Sequence, residues 1–387
     1  MVGAHILQLI DGLNVGGAEI LLCNLAEGLM RRGFRVSVGY STPGPLAPDL
    51  TDLGLPLTRL PRLARIDPFL FGGMIRLMRK DPPQIVHTHL FKSDFHGRFA
   101  ARIAGVPVVV STLHSIDRWA QQWPLGTFYG WTARFADRII AISEDVKNFH
   151  ITNTFVDQSK FTVIENGVDI RRFAGQESAA KEIRKEFGFD DSAPLFGIIG
   201  RLTPPKDHET FLRAAALILK SLPEARFLVV GDGPLRADLE SLVRELAIHA
   251  SVIFTGLRRD IPNLLAALDV LVISSAWEGL PVNLLEGMAS AKAVVATAVG
   301  SIPEVTTQEN AILVPPSDPD ALAQACVRLA SDPDLRRRMG QAGLERVTAH
   351  YSIDAMVDRT AALYADLLQK HGLEHLVPSQ VALQRIP

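Results

Sequence analysis

Short uninterrupted apolar runs alternate along the chain with longer segments in which apolar residues recur every third or fourth position. The first pattern suits strands buried on both faces, and the second suits helices that lie over them. One series of strands is predicted near His5–Ile10, Arg35–Tyr40, Gln84–His87, Val106–Thr112 and Arg138–Ile142. A second is predicted near Pro194–Gly200, Arg226–Val230, Ser251–Phe254, Asp269–Ile273 and Ala293–Ala296. Helical patterns fill most of the gaps. The order predicts an α/β protein with two doubly wound parallel sheets, each offering a ligand site at the carboxyl ends of its strands.

Asn166-Gly167-Val168-Asp169 is a turn signal after the apolar Thr162–Ile164, and places a boundary within Asn166–Phe173. The expected domains are therefore 1–172 and 173–351. Beyond the boundary, Gly175–Ala180 is small and polar and leads into a charged helix, Lys181–Phe187. Ser352–Lys370 is the last periodic segment, with Glu374–Pro387 expected to be a disordered tail.

A length of 387 residues suits two domains, each able to bury its own core. With 47% hydrophobic and 21% charged residues, the composition is that of a globular protein. A net charge of −2 gives no whole-molecule attraction to nucleic acid. The only cysteines, Cys23 and Cys326, exclude a disulfide framework and a four-cysteine metal site. The first residues read as a strand ending at Asp11, not as a leader, and no uncharged apolar run approaches the ~20 residues that cross a bilayer. The expected location is cytoplasmic, with the inner face of a membrane as an extension. That extension rests on uneven charge: residues 1–172 carry 19 Lys+Arg against 15 Asp+Glu, whereas the whole chain carries 40 against 42. The excess includes Arg59, Arg62, Arg65, Arg76, Arg79 and Lys80 among Leu, Phe and Met, which suits either a membrane-surface face or a solvated amphipathic surface.

The most informative stretch is Ser274–Lys292, in which the strand Asp269–Ile273 runs through Trp277-Glu278-Gly279-Leu280-Pro281 into a helix predicted over Val282–Ala291 with Pro281 at its first position. A strand, a glycine turn and a helix start make an anion pocket, because free N–H groups and the helix dipole meet there. Glu278 and Glu286 flank the helix start with seven residues between them. This string resembles the donor-sugar signature of the retaining family-4 glycosyltransferases, and the resemblance extends over nearly the whole chain. It implies the GT-B architecture: two facing Rossmann-like domains with a substrate cleft between them, the last helix crossing back to the first domain. The first domain would take the acceptor and the second the nucleotide sugar.

The remaining motifs follow from the same resemblance. Asn14-Val15-Gly16-Gly17-Ala18-Glu19 is similar to the family loop that closes over the donor, which implies roles for Gly16, Gly17 and Glu19; by itself it is also a tight strand-to-helix turn. Gly200–Asp207 presents Arg201 and Lys206, two cations suited to a diphosphate whose negative charge grows as it leaves. Asp207 stands where many relatives have glycine, which leaves the path of this loop open. Gly231-Asp232-Gly233-Pro234 resembles a turn near the nucleotide and reads equally as a structural turn. Thr255, Gly256 and Asp260 fall where the family reads the base through main chain. His114 resembles a histidine that reaches the transferred sugar, while Ser143 is an acceptor-side candidate and a good helix cap.

His87-Thr88-His89 places two imidazoles on one side of a strand but lacks a third ligand at a metal spacing, and His5, His96 and His150 have no motif around them. The expected reaction is transfer from a nucleoside-diphosphate sugar to a glycan or lipid-linked acceptor, with no metal, no other cofactor and no nucleic acid. The donor would be held by Arg201, Lys206, the backbone of Gly279, Leu280, Pro281, Val282 and Asn283, and by Glu286 on the ribose. The catalytic candidates are Glu278, His114, Arg201 and Lys206. Rival readings are a sugar-nucleotide epimerase, a dinucleotide oxidoreductase, which the missing Gly-x-Gly-x-x-Gly spacing disfavours, and a non-catalytic sugar-nucleotide binder.

Overall fold

In a computed structural model, which describes residues 3–62 and 67–381, the strands form two wholly parallel sheets. The first has the order β3-β2-β1-β4-β5-β6-β7, comprising β1 (His5–Gly12), β2 (Arg35–Thr42), β3 (Leu57–Arg59), β4 (Ile85–His89), β5 (Val108–Leu113), β6 (Arg138–Ala141) and β7 (Phe161–Val163). The second has the order β10-β9-β8-β11-β12-β13, comprising β8 (Leu195–Ile199), β9 (Arg226–Val230), β10 (Val252–Gly256), β11 (Val270–Ile273), β12 (Ala293–Thr297) and β13 (Ala311–Val314). In both sheets the order reverses beside the first strand, and ligands of doubly wound sheets collect at that switch point.

The predicted strands are all present, displaced at their ends by a few residues. Three strands were not foreseen: β3, β7 and β13. Each lies at a sheet edge and is only three or four residues long, too short to establish a period.

The chain divides into one unit ending at Asn166 and resuming at Ile353, and a second spanning Gly167–Ser352. Residues 167–172, expected in the first domain, therefore belong to the second. The reason is local: Val168 N–H donates to the Tyr351 carbonyl at 2.9 Å, and Val168 pairs with Ser352. Phe173 is buried close behind them. The charged helix starts earlier than expected, at Glu177, so most of the small polar stretch is helical.

In the first unit, the helix Ile353–Lys370 buries Leu363, Tyr364, Leu367 and Leu368. It packs closely on the helix Gly17–Arg31: a Cβ on Gly28 would stand 2.6 Å from Val357 Cγ2. The tail is also more ordered than its composition suggested. Ala4 N–H donates to the Leu376 carbonyl at 2.9 Å, and a Cβ on Gly3 would meet Pro378 at 2.7 Å. Residues 382–387 lie outside the described part.

The second unit is built on Phe196, Phe211, Phe227, Val270, Val272, Val295, Leu322 and Leu329, which form one buried cluster. At ~2 kcal/mol for each large apolar side chain removed from water, such a cluster supplies the main drive for this unit to fold.

The basic stretch resolves into an amphipathic helix, Pro68–Lys80, with Leu70, Met74 and Met78 inward and Arg76, Arg79 and Lys80 exposed. Arg62 donates to Thr42 at 2.9 Å, and Arg65 lies outside the described residues.

Candidate active site

At the carboxyl ends of β8 and β11, two loops are stitched together by backbone polar groups. Ala276 N–H donates to the Pro205 carbonyl at 2.8 Å. The Ser274 hydroxyl reaches the carbonyls of Lys206 and Asp207 at 3.0 and 2.8 Å. Asn283 Nδ2 donates to the Ile199 carbonyl at 2.7 Å, tying the helix Val282–Ala289 to the end of β8. Beneath them Gly300, at φ +54, lies so near the Glu278 carbonyl that a Cβ would approach to 2.2 Å.

This frame brings Lys206 and Glu278 together. Lys206 runs its aliphatic stem across Gly200 and places Nζ 2.5 Å from Glu278 Oε1, which also accepts from the Ser275 hydroxyl at 2.6 Å. Arg201 is exposed, and its guanidinium has no hydrogen bond or ion pair among the described residues. The first turn of Val282–Ala289 supplies N–H groups without intrahelical acceptors, and Asn283 Oδ1 is buried without a partner. Pro281 is the N-cap of that helix, one position before the expected place, and the helix ends at Ala289. Gly279, Leu280 and Pro281 are buried, forming the floor of the turn.

Glu286 lies farther along the same helix, and burial pushes its carboxyl up to about 7 despite the opposing charge of Arg172. Arg172 was not foreseen, having been assigned to the other domain.

Asp207 resolves the departure from glycine. It adopts the left-handed conformation, φ +43 and ψ 55, and its carboxylate accepts from Thr210 N–H at 3.2 Å and from the Thr210 hydroxyl at 2.7 Å. Aspartate tolerates this region better than most residues, and here it caps the helix His208–Ser221 as well.

Gly231 and Gly233 have a packing reason for being glycine. Cβ atoms there would stand 2.0 Å from the Gly200 carbonyl oxygen and 2.5 Å from that of Leu202. The turn thus supports the Arg201 loop from behind, with Gly231 N–H bonded to the Gly256 carbonyl at 2.9 Å. Asp260 is engaged by Arg258, and the Thr255 hydroxyl by the Gly256 carbonyl.

In the first unit, Gly16 is the N-cap of Gly17–Arg31 and the Glu19 carboxylate folds back over it; a Cβ on Gly16 would stand 2.5 Å from Glu19 Oε2. Ser143 caps the helix Glu144–Thr154 by accepting from Val146 N–H at 3.2 Å, so its hydroxyl has a structural task. His5, His96 and His150 are held by Ser37, the Lys92 carbonyl and the Ser115 carbonyl.

His87 and His89 do share one side of β4, with ring centroids 4.2 Å apart. Among the described residues no group of three or more His, Cys, Asp or Glu is arranged to hold a metal. Instead His89 Nδ1 meets His114 Nε2 at 2.9 Å, and His89 Nε2 meets Gln8 Oε1 at 2.7 Å. Burial lowers His114 to about 4 and His87 to about 3. These histidines, with Thr112, Asn166 and Thr360, border a cavity of about 30 Å³ whose other lining is apolar and includes Leu21, Leu25, Ile140 and Met356. Gln8 and Tyr364 were missed in the sequence. The signal for Gln8 was present: it is polar in the middle of an apolar strand run, Ile6-Leu7-Gln8-Leu9-Ile10.

Solved structures share this fold. That of Anabaena Alr3699/HepE in complex with UDP and glucose superposes with a TM-score of 0.86 at 22% identity, covering 94% of this chain and 100% of the other. The fold is therefore that of the two-domain GT-B transferases. Residues 15–172 match Glycosyltransferase Family 4 and residues 193–332 match Glycosyl transferases group 1. UDP-Gal:alpha-D-GlcNAc-diphosphoundecaprenol alpha-1,3-galactosyltransferase of Escherichia coli is 32% identical over 305 residues, 76% of this chain and 79% of the relative. Alpha-maltose-1-phosphate synthase of Mycolicibacterium smegmatis is 30% identical over 309 residues, 72% of this chain and 78% of the relative. The chain belongs to glycosyltransferase family 4 and is a glycosyltransferase.

Proposed function

We propose that the enzyme transfers a sugar, with retention of anomeric configuration, from a nucleoside diphosphate to a hydroxyl of a glycan or lipid-linked glycan. The observation that carries this reading is the meeting of Lys206 and Glu278 just before the helix Val282–Ala289, with the exposed Arg201 on the same loop as Lys206. Arg201, Lys206 and the first-turn N–H groups bind the diphosphate, Glu286 takes the ribose hydroxyls, and Glu278 orients the sugar. Gly16, Gly17 and Glu19 contribute to donor binding, and His114 receives a sugar hydroxyl. As the anomeric carbon–oxygen bond breaks, its electron pair stays on the diphosphate, where the two cations stabilise it. The acceptor oxygen bonds to the same carbon, and its proton passes to the departing phosphate. Those fixed cations take the part a divalent ion plays elsewhere, so transfer proceeds without one.

The E. coli relative acts with UDP-Gal, so a donor panel begins with UDP-sugars. Arg201→Ala is expected to weaken nucleotide-sugar binding at least tenfold, corresponding to roughly 1.5 kcal/mol or more for a lost charged hydrogen bond. Unchanged affinity, measured calorimetrically, would remove the site. Glu278→Gln retains some transfer if Glu278 orients the sugar, and loses nearly all if it is a nucleophile.

A lipid-linked acceptor brings the enzyme to a membrane, and the first unit has a surface suited to one. Phe71, Phe99, Phe135, Trp131 and Phe128 form a continuous run of ring contacts, with Phe99, Trp131 and Phe128 exposed. The Arg134 guanidinium lies 5.1 Å over Trp131. Aromatic rings beside arginine favour the headgroup layer. Binding to vesicles containing phosphatidylglycerol is expected, weakened by replacing Phe128 and Trp131 with serine; equal pelleting of the two proteins would sink this partner.

A further inference from the structure

His114 carries an asymmetry that its neighbours explain. Its Nε2 has a partner, His89 Nδ1, whereas its Nδ1 is buried with none. Behind it runs a line of polar groups drawn from separate elements: His89 on β4, Gln8 on β1 and Tyr364 on the helix Ile353–Lys370. His89, Gln8 and Tyr364 are each at most 1% exposed, and their polar atoms are partnered with one another.

The bookkeeping has one solution. Gln8 Oε1 is a carbonyl oxygen and can only accept, so His89 Nε2, 2.7 Å away, carries a proton and donates it. Burial holds His89 neutral, far below its usual range. A neutral imidazole with a proton on Nε2 has a bare Nδ1, which can only accept. His114 Nε2, 2.9 Å from it, must then be the donor. His114 is likewise neutral, its imidazolium lowered to about 4 by burial, so its Nδ1 is left as a lone pair. The Gln8 amide is held in this sense from its other end, where Nε2 donates to Tyr364 Oη at 3.5 Å. The phenol in turn donates to His87 Nδ1 at 2.5 Å, and His87 Nε2 donates to Thr112 at 2.6 Å. The opposite tautomer of His114 would leave a buried N–H without an acceptor, a more costly omission than an unused lone pair.

We infer that Gln8 and His89 are positioning residues that fix His114 as the Nε2–H tautomer, so that its Nδ1, enclosed in the ligand-free protein, can only accept from a hydroxyl that reaches it. His114 then receives a donated hydroxyl and neither gives nor takes a proton in the reaction. This inference rests on the proposed role of His114 toward the sugar, but the tautomer exists without substrate and is tested separately.

The experiment uses the full-length enzyme labelled with 15N-histidine, with His114 assigned by the signal lost in His114→Asn. Long-range 1H–15N correlations distinguish the two tautomers in the absence of donor. The expected result is a proton on Nε2 of His114; a proton on Nδ1 overturns the inference, whatever the activity. In His89→Leu the acceptor is gone, and kcat/KM with a nucleotide-sugar donor is expected to fall roughly tenfold, the effect of one misdirected hydrogen bond. His89→Asn restores an acceptor near the Nδ1 position and is expected to recover most of that loss. Equal losses in the two variants count against the relay. Should His89→Leu fail to fold, the wild-type tautomer decides alone. If no donor is turned over yet His114 carries its proton on Nε2, the functional reading fails and the relay stands.

Discussion

Glu286 illustrates how one side chain couples chemistry to conditions. Its carboxyl is pushed up to about 7 because burial disfavours charge, with only Arg172 pulling the other way. A folded-state value above the unfolded one means that protonation stabilises the fold. That contribution is complete below about 4.5 and is lost as pH rises through about 7. Donor binding runs in the opposite sense, since a carboxylate accepts two ribose hydroxyls and a carboxylic acid does so poorly. Nucleotide-sugar affinity is expected to be about tenfold weaker at pH 6 than at pH 8, the ratio of ionised fractions around 7. A nucleotide sugar is the right probe because its diphosphate diester does not itself titrate in this range. Glu286→Gln should bind weakly and without the pH slope; a slope surviving in that variant would assign it to another group.

At the scale of elements, Asp207 shows a local rule being met by an unexpected residue. Asp207→Ala removes the cap from His208–Ser221 and leaves a methyl side chain in the left-handed region, so a loss of about 1–2 kcal/mol is expected in denaturant unfolding. Asp207→Gly loses the cap but relaxes the backbone and should cost less. A glycine variant less stable than the alanine one would contradict this account. The same contrast explains what could be read from the sequence. The Arg201–Lys206 and Glu278–Glu286 loops were legible because each is a contiguous strand-turn-helix whose chemistry is carried by spacing. The edge strands β3, β7 and β13 were not, being too short for periodicity. The Gln8–His89–His114 line was also hidden, because it is assembled across β1, β4 and the end of β5. Gln8 and Tyr364 are 356 residues apart in the chain. Asn166 and Gly167 mark the unit boundary, yet the turn there could not reveal that Val168 pairs with Ser352.

For the whole molecule the decisive fact is that the first unit is discontinuous. Leu363, Leu367, Leu368 and Tyr364 complete a core begun by residues 5–163, whereas Gly167–Ser352 is one uninterrupted stretch. Expressed alone, 167–352 is expected to unfold cooperatively and to retain nucleotide binding. The fragment 1–166 is expected to lack a cooperative transition, since each buried Leu it forgoes is worth about 2–5 kcal/mol. A sharp melting curve for 1–166 would refute this. Translation sharpens the point. A ribosome normally releases domains that fold in the order in which they are made. Here residues 5–163 must wait for the helix Ile353–Lys370, which is made after all of Gly167–Ser352, so the second unit matures before the first is complete. Until the closing helix emerges, β1 and β4 hold their imidazoles and glutamine without Tyr364, leaving a nascent sheet for a chaperone to shelter.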